Sequence, residues 1–133
     1  MSEENVEIVR QAWKGFTDRG LDAALDYFAG DCVCEDFPEL PDHATYEGKE
    51  GVRERNRQFT ETWGDLVFEP MEFIDAGVDV VVAVIAMRGH GSGSDAPIDA
   101  PAVFVYELRD GKIVRDRAFT SRSQALEAAG LRE

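Results

Sequence analysis

The sequence has 133 residues, 44% of them hydrophobic and 31% charged, which suits one compact domain whose core needs neither metals nor disulfides. Fourteen basic against 27 acidic residues give a formal charge of −13. Nucleic acid and anionic membranes both require a concentrated basic face, so both are excluded as partners, and a single domain over 1–133 is expected.

The opening Met-Ser-Glu-Glu-Asn is acidic where a secretory signal is basic, and no apolar run reaches membrane-spanning length. A cytoplasmic protein is expected. Ser2 can cap a first helix with Glu3 and Glu4 in its first turn and Val6, Val9, Trp13 and Phe16 at steps of three and four. Gly20 stops it. A second helix is predicted with Leu21, Ala24, Leu25 and Phe28 on one face and Gly30 as its left-handed cap. Residues 32–37 read as a short strand. Cys32 and Cys34, two apart on one strand face, are poorly placed for a mutual disulfide and read as reduced packing residues, with a thiol nucleophile as the other reading.

Pro38, Pro41 and Asp42 break the chain into a loop carrying His43 and Tyr46. From 49 to 63 Val52, Asn56, Phe59 and Trp63 keep one helical stripe, while Arg53, Glu54, Arg55 and Arg57 are assigned to a solvated face. Gly64 ends this third helix. The period then shifts toward two, and residues 66–74, 78–90, 98–108 and 113–120 read as an antiparallel meander with turns at 75–77 and 109–112. The glycine-serine cluster at 89–94 reads as a mobile loop. Ser121-Arg122-Ser123-Gln124 has capping-box spacing for a terminal helix. Residues 80–86 are apolar without alternation, so both faces of that strand must be covered, one by helices and the other by a second subunit or the chain's own loops. We expect a homodimer packed through the sheet face.

This order of elements resembles the α+β cone of the nuclear transport factor 2 superfamily over nearly the whole chain. Four segments, Glu4-Asn5-Val6-Glu7-Ile8-Val9-Arg10, Tyr46-Glu47-Gly48-Lys49-Glu50-Gly51-Val52, Phe73-Ile74-Asp75-Ala76-Gly77 and Leu108-Arg109-Asp110-Gly111-Lys112-Ile113-Val114, resemble its SnoaL-like branch. The resemblance implies a curved antiparallel sheet wrapped around the N-terminal helices, an apolar cavity, and dimerisation through the outer sheet face. Ketosteroid isomerases and polyketide cyclases are relatives, and the fold alone does not choose among their reactions.

In Cys34-Glu35-Asp36-Phe37-Pro38, Asp36 stands at the general-base position of the ketosteroid isomerases. Trp13 and Val103 stand at their two oxyanion-donor positions, and since valine cannot donate, steroid isomerisation is not expected. Arg88 and His90 align with the Arg and one Asp of the limonene-epoxide hydrolase network, Ala118 takes the place of the other Asp, and Asp116 two residues earlier faces the same side. SnoaL-like cyclases pair an aspartate with a histidine for proton transfer, which makes Asp36 with His90 the candidate pair here. Arg88 pairs with Asp36 or Asp116, or else points outward. Asp36 closing a turn and His90 lying in solvent at the rim remain open alternatives.

No βαβ glycine loop, no His or Cys pair at metal spacing and no Gly-x-Ser-x-Gly elbow is present, so no cofactor and no metal is expected. The expected pocket is lined by Trp13, Phe16, Asp36, Tyr46, Phe59, Trp63, Arg88, His90, Val103, Val105 and Ala118. Three functions follow. The first is binding of a small apolar metabolite with no reaction assigned. The second is a cofactor-independent cyclase, isomerase or dehydratase using Asp36 or His90 as acid or base, with Arg88 or Trp13 steadying negative charge. The third is a dimeric protein-interaction module.

Overall fold

The computed structural model describes residues 2–38, 43–64, 66–90 and 97–131. The expected side-chain cap at Ser2, the loop positions Pro41 and Asp42, residues 91–94 of the glycine-serine loop and the side chain of His90 lie outside this description. The elements run α1 (Ser2–Arg19), α2 (Leu21–Leu25), β1 (Phe28–Glu35), β2 (Thr45–Glu47), α3 (Gly48–Trp63), β3 (Val67–Asp75), β4 (Val80–His90), β5 (Pro97–Arg109), β6 (Lys112–Phe119) and α4 (Arg122–Ala128). The fold is the α+β arrangement expected, a curved open sheet with the N-terminal helices against one face.

The six strands are ordered β2-β1-β6-β5-β4-β3. The meander β3-β4-β5-β6 is antiparallel throughout, and its β5–β6 turn takes positive φ at both Asp110 (52°) and Gly111 (78°), the twist that suits a two-residue hairpin. At the earlier turn the Asp75 carboxylate accepts from the Gly77 N–H at 2.9 Å. α4 starts where the capping pattern put it, with the Ser121 hydroxyl accepting from the Gln124 N–H at 3.3 Å.

The second helix is shorter than its apolar spacing suggests. It ends at Leu25, and Phe28 and Gly30 belong to β1. The cause is pairing across the chain, because β1 runs parallel to β6 with Phe28 opposite Ile113, and the Ile113 N–H donates to the Tyr27 carbonyl at 2.9 Å. That ladder satisfies backbone groups that one more helical turn would have needed.

Alternation splits the sheet's side chains into two layers. Facing α1, α2 and α3 are Cys32 and Cys34 of β1, Val81, Ala83, Ile85 and Met87 of β4, Ala102, Phe104 and Tyr106 of β5, and Ala118 of β6, packed with Val9, Trp13, Leu25 and Val52. On the opposite face Val82, Val103 and Val105 pack against Ala125 and Leu126 of α4. Over Val82, therefore, the second cover that the apolar run demands is the chain's own terminal helix, while Val84 and Ala86 on the same face stay half-buried.

Candidate functional site

Between the helices and the inner face of the sheet lies a cavity of about 100 Å³. Its walls come from α1, α2, α3, the start of β1 and the residues just after it, and strands β3, β5 and β6. Eight of its 17 lining residues are aromatic. Trp13 meets Phe16 edge-on at 5.6 Å and Phe104 at 5.3 Å between centroids, Phe59 meets Phe68 at 5.7 Å, and Phe37 bridges Phe59 and Phe104 at 6.1 and 6.2 Å. A wider recess of about 360 Å³ shares Phe16, Asn56, Phe59 and Phe68 with the cavity and adds Thr17, Thr60 and Val67, so these shared rings form the boundary between the inner hollow and the outer one.

One wall is charged. Cys34, Asp116, Tyr106 and Val81 stand opposite one another across β1, β6, β5 and β4 and make one row on the inner face. Arg55, one helical turn from Val52 and one from Phe59, reaches down from α3 to this row, and its Nη2 donates to Asp116 Oδ2 at 2.8 Å. The Asp116 side chain is 1% exposed and that of Arg55 17%. Among the described residues, Arg55 Nη1 and Asp116 Oδ1 are buried and have no hydrogen-bond partner, although both residues line the cavity. Next to them the Trp13 indole N–H donates to the Tyr106 hydroxyl at 3.0 Å.

The electrostatics follow from this geometry. Burial works against the charge on Arg55, but Asp116 beside it more than compensates and holds the guanidinium protonated above its ordinary range. Burial, reinforced by the Asp116 charge, keeps the Tyr106 phenol and the Cys34 thiol neutral well past their ordinary values. Cys32 shifts the same way for the same reasons. Both cysteines are buried free thiols, so they pack; the Arg55 charge nearby favours a thiolate, but burial and Asp116 outweigh it.

The residues singled out from the sequence divide sharply. Trp13, Phe16, Asp36, Phe59 and Ala118 stand on the cavity wall. Asp36 follows β1 directly, and its backbone N–H donates to the Ala44 carbonyl at 3.1 Å, which fixes the chain there. Tyr46 lies on β2 behind α3, its hydroxyl donating to Gln58 at 3.2 Å, and Trp63 backs Phe59 at 6.2 Å; neither reaches the wall. Val103 and Val105 are on the other face with α4, a correction of one residue in phase, and the inner positions belong to Phe104 and Tyr106.

Arg88 is also on the outer face, since it shares its side of β4 with Val82 and Val84, and it is exposed between Glu69 at 3.5 Å and Asp99 at 3.7 Å. Of the two alternatives for Arg88, the strand phase rules out pairing with Asp36 or Asp116 and leaves the outward one. His90 ends β4 opposite Pro97.

The assignment of Arg55 to a solvated face is overturned by its pairing with Asp116. Its position was readable, since Val52, Arg55, Asn56 and Phe59 lie on one stripe of α3; charge alone argued it outward. Among the described residues no group of three or more His, Cys, Asp or Glu side chains could hold a metal ion, and no helix is long and apolar enough to cross a membrane.

Residues 9–116 match the SnoaL-like domain family. A search of the curated proteins finds no significant match. Among solved structures, TerC co-crystallised with polyporic acid is 22% identical with a TM-score of 0.75, covering 96% of this chain and 98% of its own. A Catenulispora acidiphila protein of ketosteroid isomerase-like fold, in complex with trimethylamine, is 24% identical with a TM-score of 0.71, covering 94% and 93%. A nuclear transport factor 2-like protein from Burkholderia thailandensis is 23% identical with a TM-score of 0.78, covering 91% and 95%.

Proposed function

We propose that this chain, which belongs to the SnoaL-like family, binds a small, largely apolar molecule in the cavity between its helices and its sheet. The observation that carries the reading is an aromatic-lined hollow with a buried ion pair in its wall, the usual make-up of a small-molecule site. Two fold neighbours hold small molecules, polyporic acid in one and trimethylamine in the other, and this supports the same use of the hollow here. Trp13, Phe16, Phe59 and Ala118 supply apolar wall. In this reading the protein works in the cytoplasm as a homodimer joined through the outer sheet face, where Val84 and Ala86 keep part of their surface open.

The test is to fill the hollow. Ala118→Phe adds a ring from the sheet floor and is expected to abolish binding of small aromatic probes while the protein stays folded by circular dichroism. Undiminished binding in the folded variant would refute the reading. Native mass spectrometry of the protein purified from its own host adds a direct search for a retained molecule.

A second reading is favoured by Asp36 on the cavity wall. There a carboxylate can take a proton from a bound carbon acid, the chemistry of a cofactor-independent cyclase, isomerase or dehydratase. Under this reading Asp36→Asn loses protein-accelerated hydrogen–deuterium exchange of a 1,3-diketone probe, and equal rates with and without the protein would refute it.

A further inference from the structure

The Arg55–Asp116 pair is internally compensated, +1 against −1, yet each partner keeps one buried polar atom without a protein partner, Nη1 on one and Oδ1 on the other. Native proteins rarely leave buried donors or acceptors unmet, and those that remain point to something that meets them. The neighbouring Trp13 N–H, in the same apolar surroundings, does have its partner in Tyr106.

We propose that Nη1 of Arg55 and Oδ1 of Asp116 together dock a neutral ligand group that offers one donor and one acceptor, such as an enol beside a carbonyl, a primary amide or an undissociated acid. The inference rests on the cavity-binding reading above and specifies the ligand's polar end. An anionic group would put two negative charges on one guanidinium, and a cationic group two positive charges on one carboxylate, in a largely buried place where screening is weak. A neutral donor–acceptor group meets both free atoms with no change of net charge. Phe16, Phe59 and Phe68 adjoin the outer recess, while Arg55 and Asp116 border the inner hollow only. The ligand therefore enters polar end first and leaves its apolar body among the rings.

A matched set of one-ring probes tests this by isothermal titration at neutral pH: benzamide, benzoate, benzylammonium and toluene. Benzamide is expected to bind about tenfold or more tighter than each of the other three, the value of two hydrogen bonds to charged groups after desolvation. In the double variant Arg55→Met with Asp116→Leu, toluene binding should persist and the preference for benzamide should vanish. Toluene equal to benzamide in the native protein would overturn this inference, with water alone meeting the two atoms, and would leave the cavity reading standing. Tighter binding of benzoate or benzylammonium would overturn it too, as would a benzamide preference that survives in the folded double variant. Failure of all four probes would remove the cavity reading itself.

Discussion

Replacing Arg55 by Met keeps an unbranched apolar stem without the guanidinium and leaves Asp116, 1% exposed, as a lone charge under the helices. At 2.8 Å the attraction between the partners is about 6 kcal/mol in an effective dielectric of about 20, comparable with the several kcal/mol each ion loses on leaving water. The intact pair is then worth close to nothing net, whereas breaking it exposes one unrecovered desolvation cost. Arg55→Met should cost about 3–5 kcal/mol. Asp116→Leu should cost less, about 1–3 kcal/mol, because Arg55 is 17% exposed and a long side chain can turn its head toward water. The double variant should return to within about 1 kcal/mol of the native protein, since two apolar side chains of similar size replace the pair. Urea unfolding of all four proteins, with equal slopes, measures the cycle. Costs that simply add in the double variant would refute the claim that the two charges compensate each other.

Three further outcomes follow from the same geometry. The folded state holds the Cys34 thiol and the Tyr106 phenol neutral beyond their ordinary values of 9.0 and 10.0, so stability is full below about pH 9 and falls above it as the unfolded chain releases protons that the folded chain keeps; Tyr106→Phe and Cys34→Ala should each flatten that alkaline limb in urea midpoints taken from pH 8 to 11. Arg88→Ala removes only exposed ion pairs on the outer face, so it should change stability by less than about 0.5 kcal/mol and leave probe binding intact, a tenfold loss of affinity contradicting the strand phase described. Gly51 lies so near β2 that a Cβ there would stand 2.9 Å from the Tyr46 carbonyl carbon, so Gly51→Ala should push the edge strand outward and cost about 1–3 kcal/mol by thermal unfolding.

Local rules made much of this fold readable. The stripes on α1 and α3, the Asp110-Gly111 turn and the Ser121 cap depend on residues close together in sequence, and these elements lie within a residue or two of expectation. Strand phase was harder, because β5 is apolar on both faces. Ala102, Val103, Phe104, Val105 and Tyr106 are all buried, so alternation cannot say which of them faces the helices. The switch of Phe28 from helix to strand depends on β6, which lies far along the chain. For Arg55 charge points outward and position inward, and position prevails. Asp116 shares the inner face of β6 with Ala118, and Arg55 lies on the inward stripe of α3; two opposite charges on facing inward surfaces together spell a buried pair.

The parallel ladder between β1 and β6 sets an order of assembly. Cys34 and Asp116 are neighbours in the sheet but about 80 residues apart along the chain, a costly loop to close before its contacts can repay it. On the ribosome α1, α2 and α3 emerge long before the strand that carries Asp116. Until that strand arrives Arg55 lacks its Asp116 counter-charge and the hollow's floor is incomplete, so the site is finished in one late event.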